Sequence, residues 1–197
     1  MDYLKKSFGF CATNCYIVKT SFGELIIDPG EKSSYWVKQN CQNPLAILNT
    51  HGHFDHVFDD FVLQKDLKIP IYINDFDAFL LQNDPFYILT NFCKADFLIK
   101  PNETIKIANL DIKFHHFAGH TPGSSMIEIE NLLFSGDFLF KDNIGRCDFE
   151  FSNPKDMLES LKKIKTWTKD FELLPGHGEN STLQKEIKNL DFWMKNF

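Results

Sequence analysis

The sequence has no excess of positive charge. Its 21 lysines and arginines are outnumbered by 27 acids, for a net charge of -6 and a pI near 5.6, so the electrostatic footprint of a nucleic-acid binder is missing. No uncharged apolar run approaches the roughly 18 residues of a membrane span, and the opening Met1-Asp2-Tyr3-Leu4-Lys5-Lys6 leads into no secretory leader; the expected location is the cytoplasm, without membrane association. Cysteine is scarce and odd in number: Cys11, Cys15, Cys41, Cys93 and Cys147 are too scattered for a disulfide framework and read as free thiols. There is no linker, low-complexity stretch or repeat. Residues 1–197 are therefore expected to form a single domain, with a core large enough that metal is not needed for folding.

What the chain does have is Thr50-His51-Gly52-His53-Phe54-Asp55-His56. Three imidazoles and a carboxylate in six positions supply the N and O donors that borderline cations such as zinc prefer. The spacing is too tight for one helical face, which points to a loop. His51 and His53 alternate in the extended sense while Asp55 and His56 are adjacent, so the two pairs can diverge and serve two ions. A solvated His-rich turn is the alternative for this stretch taken alone.

The flanking chain reads as alternating strands and helices. Residues 14–19 and 24–28 are short strands joined by Thr20 to Gly23, with Asp28-Pro29-Gly30 stopping the second. Ser33 or Ser34 can cap a helix to about Cys41, and a buried strand from Leu45 to Asn49 delivers the heptad. Val57 to Lys65 has helical spacing, Ile69 to Ile73 reads as a strand, Asp75 to Leu81 as a short helix, and 84–100 as irregular chain or short helix. From Thr104 the pattern turns to β, with Ile105, Ile107, Leu110, Ile112 and Phe114 alternating and further strands at 125–129 and 132–135. Asn153 and Pro154 suit the N-cap and first turn of a helix whose stripe is Leu158, Leu161, Ile164 and Trp167. A last strand covers 171–174. Ser181 and Gln184 resemble a capping box for a closing helix carrying Leu183, Ile187, Leu190 and Met194, with Trp193 packing on the core.

Four histidines remain outside the heptad. His120 lies in Ala118-Gly119-His120-Thr121-Pro122-Gly123-Ser124 and His177 in Pro175-Gly176-His177-Gly178; Asp137 lies in Ser135-Gly136-Asp137. Each follows a β run and is bracketed by glycine, which permits close backbone approach. His115 and His116 are adjacent on a strand and face opposite ways. They read as structural, each with a hydrogen-bonded partner.

In this order the motifs resemble the metallo-β-lactamase fold superfamily, over roughly Asn14 to Gly178. The resemblance implies a four-layer αββα sandwich of the α/β class with two divalent metal ions at the edge between the sheets, zinc first, with iron or manganese as alternatives. It implies that His51, His53 and His120 hold one ion, that Asp55, His56 and His177 hold the other, and that Asp137 bridges them. Asp28 matches the family's Asp-Pro-Gly and would steady the ligand loop from behind.

Asp55 after His-x-His, and an aspartate and not a cysteine at Asp137, look like the glyoxalase II (hydroxyacylglutathione hydrolase) branch. Gly145-Arg146-Cys147-Asp148 is similar to short bacterial glyoxalase II-like proteins and to persulfide dioxygenases. Arg146 keeps the basic group that contacts glutathione in glyoxalase II and can pair with a carboxylate, while Asp148 stands where that family has a tyrosine. No separate C-terminal glutathione-binding domain is expected. The implied reaction is hydrolysis of a small-molecule thioester, S-lactoylglutathione or a related acyl thioester. Two ions sharing a water lower its pKa, and Asp55 and Asp137 orient the resulting hydroxide. A mononuclear-iron persulfide dioxygenase is the alternative and a lactonase the third. A nucleophilic Cys147 is set aside, because no base lies near it in sequence.

Overall fold

A computed structural model describes residues 1–195 and 197. The first half of the chain contributes β1 (Asp2–Phe8), β2 (Thr13–Thr20), β3 (Gly23–Ile27), β4 (Pro44–Leu48), β5 (Ile71–Asn74) and β6 (Phe97–Ile99), which form one sheet in sequence order. The second half contributes β7 (Thr104–Ile107), β8 (Leu110–His116), β9 (Ser125–Ile129) and β10 (Leu132–Gly136), a small hairpin of β11 (Leu139–Phe140) and β12 (Asn143–Ile144), then β13 (Glu172–Pro175) and β14 (Ser181–Thr182). Its sheet runs β14-β13-β10-β9-β8-β7. Helices α1 (Ser34–Asn40), α2 (Phe54–Val57) and α3 (Asp60–Leu67) belong to the first half, and α4 (Pro154–Lys165), α5 (Leu183–Ile187) and α6 (Leu190–Met194) to the second.

The side-chain period of two sorts these elements into four layers. Val18, Leu25, Ile27 and Leu48 of the first sheet meet Ile112, Phe114, Ile127 and Phe134 of the second in a central core. The alternate residues Ile17, Ile26, Ile47 and Ile71 face Val37, Val57 and Leu63 of the first helical layer. On the far side Met126, Leu133 and Leu173 face Met157, Leu161, Ile164 and Leu183. This is the expected αββα sandwich. No helix among the described residues is long and apolar enough to cross a membrane, and all five cysteines are free.

Several local expectations need correction. β1 and β6 have no clear sequence signal. β1 is a half-exposed edge carrying Lys5 and Lys6, and only Ile99 of β6 is buried; edges need no alternation because one side stays in water. The α1 cap is not a serine side chain: Asp59 accepts from the Ser34 amide at 2.6 Å. The short helix expected at 75–81 forms with those bounds, as a 3-10 helix capped by Asn74. In α4 the Asn153 cap forms as expected, but Met157 takes the inward place assigned to Leu158. The capping box at Ser181 does not form; Ser181 bonds Glu186 instead, and the closing helix is broken into α5 and α6.

Candidate metal centre

Five strand ends meet at one edge of the sandwich. Asp28 follows β3, the heptad follows β4, His120 lies between β8 and β9, Asp137 follows β10, and His177 follows β13. The edges are stitched by main-chain bonds: the Ser125 amide donates to Thr50 O at 2.9 Å, the Asn14 amide to Gly176 O at 2.7 Å and the Gly176 amide to Gly136 O at 2.8 Å. Glycine is required where the loops close on the site. A Cβ on Gly176 would lie 2.3 Å from Asp137 Oδ1, and one on Gly145 would lie 1.6 Å from Asp137 O.

All seven residues expected around the ions come together. His51, His53 and His120 form one group, Asp55, His56 and His177 another, and Asp137 completes a third with His51 and His56; within each, the donor atoms lie within 4.8 Å of one another. Asp137 touches both sides, with Oδ2 3.6 Å from His120 Nε2 and 3.3 Å from His177 Nε2, and Oδ1 3.3 Å from His56 Nε2.

The surroundings assign which ring nitrogen faces inward. His56 Nδ1 lies 2.9 Å from Asp28 Oδ2, His120 Nδ1 2.7 Å from Arg146 O and His177 Nδ1 3.1 Å from Cys11 O. Each partner only accepts, so Nδ1 carries a proton and Nε2 is the nitrogen turned toward the cluster. His51 follows the same rule. Its Nδ1 is 3.1 Å from the Thr50 hydroxyl, which already donates to Asp28 at 2.6 Å and can only accept. His53 is turned over: Nδ1 points at His120 Nε2, 2.8 Å away. The buried His51 Nε2 and Asp137 Oδ1 have no hydrogen-bond partner, a costly state for a polar atom unless something else satisfies it. Buried, convergent lone pairs of this N/O character fit divalent cations.

Protonation divides the cluster. Burial pushes His51, His53 and His120 down, His53 to about 3. Burial opposes charge on His56 and His177 as well, but the carboxylates beside them win: Asp55, Asp137 and Asp28 raise His56 well above its ordinary value, and Asp137 and Asp55 raise His177 to about 9. Burial works against the Asp55 carboxylate too, yet His56 and His177 bring it down to about 2.

Two supporting carboxylates stand behind the cluster. Asp28, at φ 49, accepts from the Thr50 amide at 2.8 Å, from the Thr50 hydroxyl and from His56, which places it behind the heptad. Asp77 has no sequence signal beyond an acid in a short helix. Fully buried, it accepts from the Gly52 amide at 2.9 Å, the Thr121 hydroxyl at 2.6 Å and the Gly123 amide at 2.5 Å, tying the heptad to the His120 loop. Thr13 was likewise unmarked; its hydroxyl donates to Asp55 Oδ2 at 2.6 Å.

Above the cluster opens a cavity of about 710 Å³ whose lining includes His53, Asp55, His120, Asp137 and His177. Arg146, the single arginine of the chain, lies on its rim with its guanidinium 4.3 Å from the Phe149 ring. It makes a two-pronged, solvent-exposed pair with Asp148 at 2.9 and 2.8 Å. Asp148 itself is not part of the lining. Burial raises the Cys147 thiol, with Asp148 adding to the effect, and no base among the described residues is bonded to it. His115 bonds Glu128 and His116 bonds Pro122 O, away from the cluster.

The Metallo-beta-lactamase superfamily pattern matches residues 8–185. The hydroxyacylglutathione hydrolase GloC of Haemophilus influenzae is 30% identical over 85% of both chains. The crystal structure of BLEG-1 B3 metallo-beta-lactamase superposes with a TM-score of 0.87 at 29% identity, covering 97% of this chain and 99% of that one. TTHA1623 in a di-iron-bound form superposes with a TM-score of 0.78 at 29% identity, covering 92% and 95%.

Proposed function

On the premise that the chain belongs to the metallo-beta-lactamase superfamily as a hydrolase, we propose that it cleaves a small-molecule acyl thioester at a centre of two divalent ions. The observation that carries the reading is the convergence of seven N and O donors in two groups at the floor of an open cavity with cations on its rim. His51, His53 and His120 would hold one ion, and Asp55, His56 and His177 the other, with Asp137 shared. Bound there, the ions would supply an acidified water and polarise the carbonyl. Zinc is the ion proposed, with iron the rival that the di-iron form of TTHA1623 brings forward.

The chain's own residues set up the reaction. Asp137, reaching both groups, and Asp55, oriented by the Thr13 hydroxyl, position the attacking water. Its oxygen adds to the thioester carbonyl carbon and the C–S bond breaks, leaving a carboxylic acid and a thiol that between them keep the water's two hydrogens. Arg146 and Lys141 on the rim hold an anionic end of the substrate. Both stand in exposed ion pairs, with Asp148 and Glu179, of the kind that exchange partners at little cost. GloC, named for a glutathione thioester, supports this substrate class, and Asp148 would act by orienting Arg146. The five free thiols suit a reducing compartment, the cytoplasm.

The test uses one preparation. Metal content per chain is measured alongside hydrolysis of S-lactoylglutathione, other acyl thioesters, a lactone and a β-lactam, and alongside oxygen uptake with glutathione persulfide. Thioester turnover with two ions per chain is expected. A two-ion protein inactive on every thioester would end the reading. Oxygen uptake with one iron would replace it by the persulfide dioxygenase, and turnover of the β-lactam alone by the chemistry named for BLEG-1.

A further inference from the structure

The cavity has two unlike walls, and we propose that they sort the two halves of the substrate. An apolar acyl group, aromatic or branched, lies against Phe10, Phe54, Phe86 and Ile88, and the anionic thiol carrier lies on the other wall, at Lys141 and Arg146. The inference rests on the thioester reading and adds the substrate class.

The first wall comes from the first half of the chain. Phe10, in the turn between β1 and β2, stacks on Phe54 at 5.7 Å and 20°; Phe54 meets Phe86 edge-on at 5.3 Å, and Phe86 meets the His53 ring at 5.2 Å. Its one charged group is Asp55, already engaged by Thr13 and His177. Phe10 is nevertheless 71% exposed. A large apolar side chain left in water at the mouth of a site, and anchored beside Cys11, whose carbonyl fixes His177, has surface to offer a ligand. The second wall comes from the second half, where Lys141, Asn143, Arg146 and Glu179 interrupt Phe140, Ile144 and Phe149; it joins the first where Phe149, beneath the Arg146 guanidinium, packs edge-on against Phe86 at 5.4 Å. A hydroxyl or carboxylate laid on the phenylalanine wall would lose water without gaining a partner. An aryl or branched alkyl group gains area there, and a ring can pack edge-to-face with those present.

The test compares S-lactoylglutathione with S-mandeloylglutathione, which differ by methyl against phenyl on the same hydroxyacyl thioester. The mandeloyl ester is expected to have a kcat/KM about tenfold higher or more, the scale on which apolar pockets discriminate. Phe10→Ala, at an exposed position that leaves the core intact, should shrink that ratio by about two- to tenfold, and Phe86→Leu should shrink it in the same direction. Calorimetry with two inert thioethers gives a reading that needs no turnover: S-benzylglutathione should bind more tightly than S-methylglutathione, with the gap narrowed by Phe10→Ala. Equal kcat/KM for the two esters overturns the inference while the thioester reading stands. If the two-ion protein hydrolyses neither of these esters nor any other acyl thioester, the thioester reading falls. The apolar wall is then upheld by a benzyl preference that Phe10→Ala narrows and overturned by equal thioether affinities.

Discussion

The floor and the walls of the cavity are built on different physics. On the floor His51, His53, His56 and His120 are at most 3% exposed, and each ring but His53 has its outer nitrogen held by an acceptor or hydroxyl. Geometry is over-determined there, which is what a preorganised centre requires. On the walls Arg146, Lys141 and Phe10 are solvent-facing and held by ion pairs or a single stacked ring. Such contacts are weak and exchangeable. On the proposed function, the difference means that the floor sets what kind of bond can be broken, whereas the walls decide whose bond it is.

Substitutions should separate the two regions by the size of their effects. Asp137→Ala removes the carboxylate that touches both groups, and should lower metal content at both and reduce kcat/KM by about 1000-fold or more, the several kcal/mol a metal centre supplies; unchanged metal content by elemental analysis would remove Asp137 from the bridging position. Asp28→Asn keeps a residue type that tolerates φ 49 while removing the charge behind His56. Ion affinity should fall by about 10- to 100-fold, read by competition with a chelating dye, and no change would make Asp28 a turn residue only.

The pH dependence of ion uptake tests the floor without any substitution. In the ion-free chain His177 titrates at about 9 and so holds at pH 7 a proton that Nε2 must lose to bind an ion. Affinity should rise with pH by about tenfold per unit for each proton released, with the His177 contribution complete at about pH 9; a flat profile from pH 7 to 9 would contradict the assignment of His177. The stability of the ion-free fold runs the other way. A raised folded-state pKa contributes fully below the ordinary value near 6.5, and that contribution is lost as the pH climbs through 9.

The smallest effect belongs to the wall. Arg146→Ala should raise KM for an anionic thioester by about two- to fivefold with kcat little changed, as for an exposed pair. A large fall in kcat would move Arg146 from wall to floor, as a side chain that acts on the reacting group itself.

Legibility in the sequence followed the same division. The heptad, the Gly-bracketed His120 and His177, and Asp137 were readable because each sits in a short motif just after a strand, where a few consecutive residues carry both the donor and the turn that aims it. The layers were readable wherever a strand or helix has one buried face, as in β8 or α4. β1 escaped notice because its edge position relaxes the alternation, and the closing helix was overdrawn because its apolar spacing runs across the break between α5 and α6. Asp77 and Thr13 escaped because a buried acid and a strand-end threonine look in sequence like any others.

By itself, then, the order of residues determined the candidate ligand residues and their sequence along the chain, since ligand chemistry is a property of side-chain type and local turn. Only the tertiary structure decided which nitrogen of each ring faces inward, because Cys11 O, Arg146 O and Asp28 reach His177, His120 and His56 across 166, 26 and 28 positions. It alone assembled the phenylalanine wall from residues 10, 54 and 86. A contact between distant segments leaves no local period, and apolar burial can be met by many residue types. That wall of the cavity exists only once the chain is folded.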